Sequence, residues 1–129
     1  GRAGVQVRLL RGDELEEEAP FDLVLCDVPC SGSGAWRRSP EGKWRFSPQD
    51  LERLTATQAA ILDRAAALVA PGGCLAYATC SLLEDENAAQ VSAFLARRPG
   101  FTLEASRRLT PLDGGDGFYG AVLRRAETR

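Results

Sequence analysis

The chain contains no histidine among its 129 residues. Histidine is the side chain that most often transfers protons near neutral pH. Any proton transfer therefore falls to a carboxylate, a thiolate, a water molecule or a group outside this sequence. The spacing of the four cysteines also lacks the CxxC pairs of structural zinc sites, and no imidazole is available to complete a mixed ligand set. We therefore expect no metal centre.

The sequence also lacks a long apolar run and an excess of one charge. No stretch approaches the roughly 18 apolar residues of a membrane span, and residues 1–13 contain no signal-peptide core. The net charge is -2, whereas non-specific nucleic-acid binders carry a broad excess of Lys and Arg. We expect a soluble protein without membrane contact. RNA recognition through a local basic segment stays open.

The cysteines lie in or beside apolar, strand-like runs rather than across polar loops. This distribution argues against the disulfide framework of a secreted domain and favours a reducing, cytoplasmic compartment. A cysteine in a buried strand is most often a small core residue, and we keep that interpretation for Cys26 and Cys74. Cys30 and Cys80 follow their strands and are flanked by Pro, Ser, Thr or Gly, which favours a functional role.

Alternating apolar runs and helical periodicity predict an α/β fold. Short apolar runs predict strands at 5–10, 21–26, 74–79, 101–105 and 117–124. Apolar residues at three- and four-residue steps predict helices over about 47–70 and 84–97, and Ser47 has the pattern of a helix cap. The runs at 21–26 and 74–79 do not alternate with polar residues, which is typical of strands covered on both faces. The order corresponds to the second half of a doubly wound sheet with helices on both faces.

The first half of such a sheet has no counterpart in this sequence. A nucleotide-binding sheet normally begins with a strand, a glycine-rich turn and a helix, and nothing before Val5 supplies them. Gly32 to Gly34 follow a strand but lead into a loop rather than a helix. We therefore expect residues 1–129 to form part of a larger domain. The strand at 5–10 is then an exposed edge through which the chain could associate with another molecule.

Polar and thiol side chains follow several predicted strands. Ligands of open α/β sheets bind at the carboxyl ends of the strands, where Asp13, Asp27, Cys30 and Cys80 fall. Two thiols and a carboxylate suit covalent catalysis, in which a thiolate attacks an electrophilic carbon and the carboxylate hydrogen-bonds the neighbouring heterocycle. Asp13 equally fits a simple turn residue.

A basic and aromatic loop lies between the first cysteine pair and the first helix. Its cations and rings are Trp36, Arg37, Arg38, Lys43, Trp44 and Arg45. An ordinary solvated loop and a surface that contacts phosphates and bases both fit this composition.

Three segments together resemble the Nop/Sun-type RNA (cytosine-5)-methyltransferases, a family that includes bacterial 16S rRNA enzymes and various tRNA enzymes. They are DVPCSGSG at 27–34, RRSPEGKW at 37–44 and ATCSLLEDEN at 78–87. The closing GFYGAVLRR is similar to the last strand of that family, and the resemblance extends from about residue 5 to residue 125.

The resemblance implies an enzyme that uses S-adenosylmethionine to methylate carbon 5 of cytosine in RNA. Cys80 would be the nucleophile that adds to carbon 6 of the base, and Cys30 would assist the elimination that releases the product. Asp27 would lie near the cofactor and the base, and Asp13 near the adenosine of the cofactor.

The resemblance also implies an RNA surface, a fold and a limit. Arg37, Arg38 and Lys43 would contact RNA, with rRNA the first expectation and tRNA the second. The fold would be a Rossmann-like sheet whose last strand is antiparallel. The family's glycine-rich cofactor loop is not found here, so the cofactor site would be incomplete and the isolated chain inactive. One alternative is a related methyltransferase that acts on another base or on protein. The other is a non-catalytic RNA- or protein-binding module that retains the methyltransferase fold.

Overall fold

A computed structural model describes residues 19–35, 41, 46–113 and 115–127. In chain order its main elements are β1 (Phe21–Asp27), α1 (Pro48–Ala66), β2 (Val69–Thr79), α2 (Ala88–Arg97), β3 (Phe101–Leu109) and β4 (Phe118–Arg125). Short 3-10 turns cover Ser33–Ala35, Glu84–Glu86 and Pro111–Asp113. The strand expected at 5–10 lies outside the described residues. No helix in the described ranges has both the length and the apolar content to cross a membrane.

The four strands form one sheet in the order β1-β2-β4-β3. β1 and β2 are parallel, whereas β4 runs antiparallel to both β2 and β3. These directions confirm the α/β sheet and its antiparallel last strand. A parallel pair needs a long crossover, which here contains α1. The carboxyl ends of β1 and β2 therefore lie side by side.

Helix α1 begins at the expected cap but ends earlier than its periodicity predicts. The Asp50 N–H donates to Ser47 Oγ at 3.1 Å and the Ser47 N–H donates to Asp50 Oδ2 at 2.9 Å, which forms a capping box. The helix stops at Ala66 because β2 already begins at Val69. The Pro-Gly-Gly sequence lies inside this strand as an irregularity, and Gly72 adopts a φ of 81° that other residues rarely tolerate.

Both described helices pack on the same face of the sheet. Apolar side chains of α1 and α2 share one core with alternate residues of the strands: Cys26, Leu62, Ala65, Leu75, Tyr77, Val91, Phe94, Tyr119, Ala121 and Leu123. Gln90 of α2 donates to Gln58 of α1 at 3.2 Å, so the helices are neighbours.

The described helices lie on one face of the sheet, and the helix layer expected on the other face is not among the described residues. Leu23 and Leu25 of β1 point to the other face and are 63% and 67% exposed. An unbroken apolar run shows that both faces of a strand are apolar. It does not show which segment covers each face.

Candidate active site

The ends of β1 and β2 bring two cysteines into contact. Asp27 is the last residue of β1 and pairs with Ala78 of β2. After its last residue β1 leads to Cys30, whereas β2 is followed directly by Cys80. The Cys80 N–H donates to Cys30 Sγ at 3.4 Å. The structure thus brings together the two cysteines predicted from the sequence, at the edge of the sheet where β1 ends with Asp27.

The two thiols have different environments. Cys80 and Asp27 are exposed, whereas Cys30 is half-buried. Burial raises the pKa of the Cys30 thiol, and the negative charge of Glu86 raises it further, although backbone N–H groups of Gly32 and Cys80 act in the opposite direction. Cys30 is therefore protonated at neutral pH, while Cys80 is open to an incoming molecule.

The other two cysteines stay apart from this edge. Cys26 is 5% exposed within the core, and burial raises its pKa to about 12. Cys74 is half-buried near the beginning of the regular part of β2, where it pairs with Leu23 and Arg124. The described residues contain no group of three or more His, Cys, Asp or Glu side chains that could hold a metal ion.

A buried carboxylate lies behind the two cysteines. Glu86 is fully buried, and both of its oxygens accept hydrogen bonds. Oε1 accepts from Ser31 Oγ at 2.6 Å and from Ser81 Oγ, and Oε2 accepts from the Ser31 N–H at 2.8 Å and Gln58 Nε2 at 3.0 Å. Four donors offset much of the cost of burying the charge.

A second buried side chain holds both neighbours of Cys80. Asn87 Oδ1 accepts from Thr79 Oγ1 at 2.6 Å, and Asn87 Nδ2 donates to the Ser81 carbonyl at 2.8 Å. Because Thr79 and Ser81 flank Cys80, the backbone at Cys80 is held on each side.

These buried polar residues were not among the sites predicted from the sequence. Glu86 and Asn87 belong to the quoted ATCSLLEDEN segment, but their role depends on contacts with distant residues. Gln58 lies in the apolar stripe of α1 and is fully buried. A polar residue on an apolar helix face is a signal that could have identified it, since buried polar groups need partners.

A close backbone approach joins the cysteine turns to β4. The Gly34 N–H donates to the Cys80 carbonyl at 3.0 Å, and the Gly117 N–H donates to the Gly34 carbonyl at 2.9 Å. A Cβ on Gly34 would lie 2.5 Å from the Gly117 carbonyl oxygen and 2.8 Å from that of Cys80. Only glycine fits at this junction of three segments.

A cleft of about 490 Å³ opens beside Cys30, along the first turns of α1. Its lining residues are Cys30, Ser31, Phe46, Asp50, Arg53, Leu54 and Thr57. A volume of this size lies within the usual range of small-ligand pockets. The other sequence-predicted site residues, Asp13, Arg37, Arg38 and Lys43, lie outside the described residues.

Comparisons with known proteins agree on one family. The sequence matches the family model described as 16S rRNA methyltransferase RsmB/F over residues 2–124. It is 38% identical over 135 residues to ribosomal RNA small subunit methyltransferase B of Salmonella arizonae and 42% identical over 134 residues to that of Vibrio vulnificus. Each alignment covers 95% of this chain and 32% of the relative, so the chain spans about a third of the relatives' length.

Two solved structures have a similar fold. The structure of NSun6 from Pyrococcus horikoshii with SFG, an analogue of S-adenosylmethionine, superposes with a TM-score of 0.77 at 25% identity, covering 94% of this chain and 35% of that one. A methyltransferase homolog protein from Pyrococcus horikoshii superposes with a TM-score of 0.75 at 24% identity, covering 95% of this chain and 46% of that one. The latter likeness shows the Rossmann-like methyltransferase fold alone.

Proposed function

Because the chain belongs to the 16S rRNA methyltransferase RsmB/F family, we propose that it carries the paired cysteines of an enzyme that methylates carbon 5 of cytosine in RNA. The observation that supports this most strongly is the contact between the Cys80 backbone and the Cys30 thiol at adjoining strand ends. An exposed thiol, a half-buried thiol and an exposed carboxylate converge there. This set suits covalent chemistry on a flat heterocycle.

In the proposed reaction Cys80 is the nucleophile. Its thiolate forms a bond to carbon 6 of cytosine, and the electron pair of the C5=C6 double bond becomes available at carbon 5. Once carbon 5 carries the new methyl group, it loses its proton to a base, the double bond re-forms and the bond to Cys80 breaks. The methyl group would arrive with cleavage of the donor's S–CH3 bond, which neutralises the sulfonium charge, so one proton is released overall and the thiolate leaves as it entered.

Cys30 has the complementary role in product release. Its raised pKa keeps it protonated at neutral pH, so it does not compete with Cys80 for the electrophilic carbon. Its thiol accepts a hydrogen bond from the Cys80 N–H, which supports a role close to the bond that must break. We assign Cys30 to the elimination that frees the methylated RNA: its S–H would hydrogen-bond the departing Cys80 thiolate, while a carboxylate or a water molecule takes the proton from carbon 5.

S-adenosylmethionine, when bound, supplies the electrophilic methyl group. Asp27 is proposed to bind a polar part of this cofactor or of the base. Its side chain is exposed at the end of β1, so its charge does not have to be buried in the protein. Asp13 is proposed to lie near the adenosine. The likeness to the structure with SFG supports the same cofactor class.

The RNA substrate is proposed to be ribosomal. The names of the matched relatives support this choice over tRNA. Arg37, Arg38 and Lys43 are the proposed phosphate contacts. The cleft beside Cys30, with Arg53 on its wall, adjoins the place where the base would enter. Residues 1–129 are proposed to form one part of the catalytic domain.

Trapping of the covalent adduct tests this function. In the full-length gene product Cys30→Ala should accumulate a protein–RNA adduct that survives denaturing electrophoresis, because attack proceeds and elimination does not. Replacing Cys80 as well should abolish the adduct.

Cys74→Ala is the matched control, since Cys74 lies in the same strand pair but away from the carboxyl ends. It should turn over RNA like the unaltered protein and accumulate no adduct. If the unaltered protein neither methylates rRNA nor forms the adduct, the non-catalytic binding module replaces the proposed enzyme.

A further inference from the structure

Glu86 is a buried ionisable residue that the proposed reaction does not use. Its side chain is fully buried, while Glu84 and Asp85 in the same short turn are exposed. Burial of a carboxylate is costly unless its charge is fully hydrogen-bonded. The position of Glu86 therefore calls for an explanation.

Its hydrogen bonds lead to both cysteine turns. Ser31 directly follows Cys30 and gives Glu86 two bonds, one from its N–H at 2.8 Å and one from its hydroxyl at 2.6 Å. Ser81 directly follows Cys80 and donates its hydroxyl to the same Oε1 atom. One carboxylate thus connects two turns that are 50 residues apart in the chain.

Residues of α1 and β2 hold Glu86 in place. Gln58 of α1 donates to Glu86 Oε2 at 3.0 Å and to the Pro29 carbonyl at 2.8 Å. Tyr77 of β2 donates its hydroxyl to the Glu86 carbonyl at 2.6 Å. Hydrogen bonds therefore hold both the side chain and the backbone of Glu86 to the helix and the sheet. Glu86 in turn holds the two cysteine turns against these elements.

We propose that Glu86 is a positioning residue that holds the Cys30 and Cys80 turns at a fixed separation by binding the serine after each cysteine. Because Glu86 is fully buried, we assign it no contact with substrate or cofactor. The assignment deepens the proposed function, on which its catalytic consequence rests. A displacement of about 1 Å between reacting groups can cost about 100-fold in rate, so a loss of this connection should affect kcat strongly.

Two substitutions separate position from charge. Glu86→Ala removes all four acceptor bonds. Glu86→Gln keeps the shape and removes the charge; its amide nitrogen can donate to the two serine hydroxyls while its oxygen accepts from the Ser31 N–H and Gln58. We expect kcat for RNA methylation to fall about 100-fold in Glu86→Ala and to stay within about fivefold in Glu86→Gln, with KM for RNA little changed in both.

Glu84→Ala is the matched control. It removes an acidic side chain from the same turn, but Glu84 is exposed and pairs with Arg108 rather than with a cysteine turn. Its kcat should equal that of the unaltered protein. A Glu84→Ala loss as large as that of Glu86→Ala would overturn the proposal.

Cross-linking of the thiols tests the separation without methylation. Dibromobimane alkylates two neighbouring thiols, and peptide mass spectrometry identifies the Cys30–Cys80 product in the full-length gene product. Because the Glu86 charge also raises the pKa of Cys30, the reference is Glu86→Gln, which loses the same charge. We expect the rate of this cross-link to be at least about fivefold lower in Glu86→Ala than in Glu86→Gln, and to be unchanged in Glu84→Ala relative to the unaltered protein. Equal rates in folded Glu86→Ala and Glu86→Gln protein would overturn the positioning role, even if methylation were lost.

The two readouts distinguish this proposal from the proposed function. If the unaltered protein does not methylate RNA but Glu86→Ala slows the cross-link, the positioning role holds and the enzymatic function fails. If Glu86→Ala protein does not fold, Ser31→Ala provides the test, because it removes one hydroxyl bond and keeps the Ser31 N–H bond. It should slow the cross-link, and an unchanged rate would contradict the proposal.

Discussion

At the scale of single residues, the two cysteines of the proposed site differ in environment. Cys80 is exposed, and Cys30 is half-buried beside a buried carboxylate. In the sequence alone, both are cysteines that follow predicted strands. Their difference arises from burial, since removing a thiolate from water disfavours its charged form.

The pH dependence of alkylation should reveal this difference. Burial raises the pKa of Cys30 above that of a free cysteine thiol, so its thiolate appears only at a more alkaline pH. We expect the rate of Cys30 alkylation by iodoacetamide to reach half of its maximum at a higher pH than the alkylation of free cysteine does, as measured by peptide mass spectrometry. In Glu86→Gln the midpoint should move down, because a negative charge that raises the pKa is removed. A Cys30 midpoint at or below that of free cysteine in the unaltered protein would contradict the assigned environment.

At the scale of elements, α1 is the segment whose boundaries matter most for the site. It supplies Gln58 behind the cysteines, and its first turns line the cleft beside Cys30. Its start is determined locally by the capping box of Ser47 and Asp50. Its end is determined by β2, which begins at Val69.

Loss of the cap should destabilise the protein measurably. Ser47→Ala removes the acceptor of the Asp50 N–H and should lower the free energy of unfolding by about 1 kcal/mol, measured by urea denaturation. Ser92→Ala is the control, because Ser92 is exposed within α2. It should change the free energy by less than about 0.5 kcal/mol. Equal effects of the two substitutions would show that the cap is not the stabilising feature.

At the scale of the whole molecule, three segments that are distant in sequence meet at Gly34. The turn after β1, the end of β2 and the beginning of β4 converge there through two backbone hydrogen bonds. The fold thus connects its antiparallel last strand to the edge that contains the cysteines. A substitution at this junction should therefore affect both the free energy of unfolding and the cross-linking of the two cysteines.

Gly34→Ala tests this junction. The added methyl group would lie within 2.8 Å of two carbonyl oxygens, so the backbone must move. We expect a loss of about 1–3 kcal/mol in the free energy of unfolding, together with slower Cys30–Cys80 cross-linking. Gly100→Ala, where a methyl group would meet nothing within 4 Å, should leave the cross-linking rate unchanged. A stable Gly34→Ala protein with an unchanged rate would show that the close approach has no structural importance.

The sequence by itself determined the elements and the chemical types at their ends. Apolar runs located β1 and β2, helical periodicity and Ser47 located α1, and the strand ends identified Asp27, Cys30 and Cys80. These signals are local: capping, periodicity and turn composition depend on residues close together in the chain.

Only the tertiary structure decided which distant groups meet. It placed α1 and α2 on one face of the sheet, left Leu23 and Leu25 exposed on the other, and put Glu86 between the turns of Cys30 and Cys80. Apolar patterning cannot predict which segment covers a strand face. It also cannot show that an acidic residue in a charged turn is buried, because a buried carboxylate is stable only when donors from distant segments surround it.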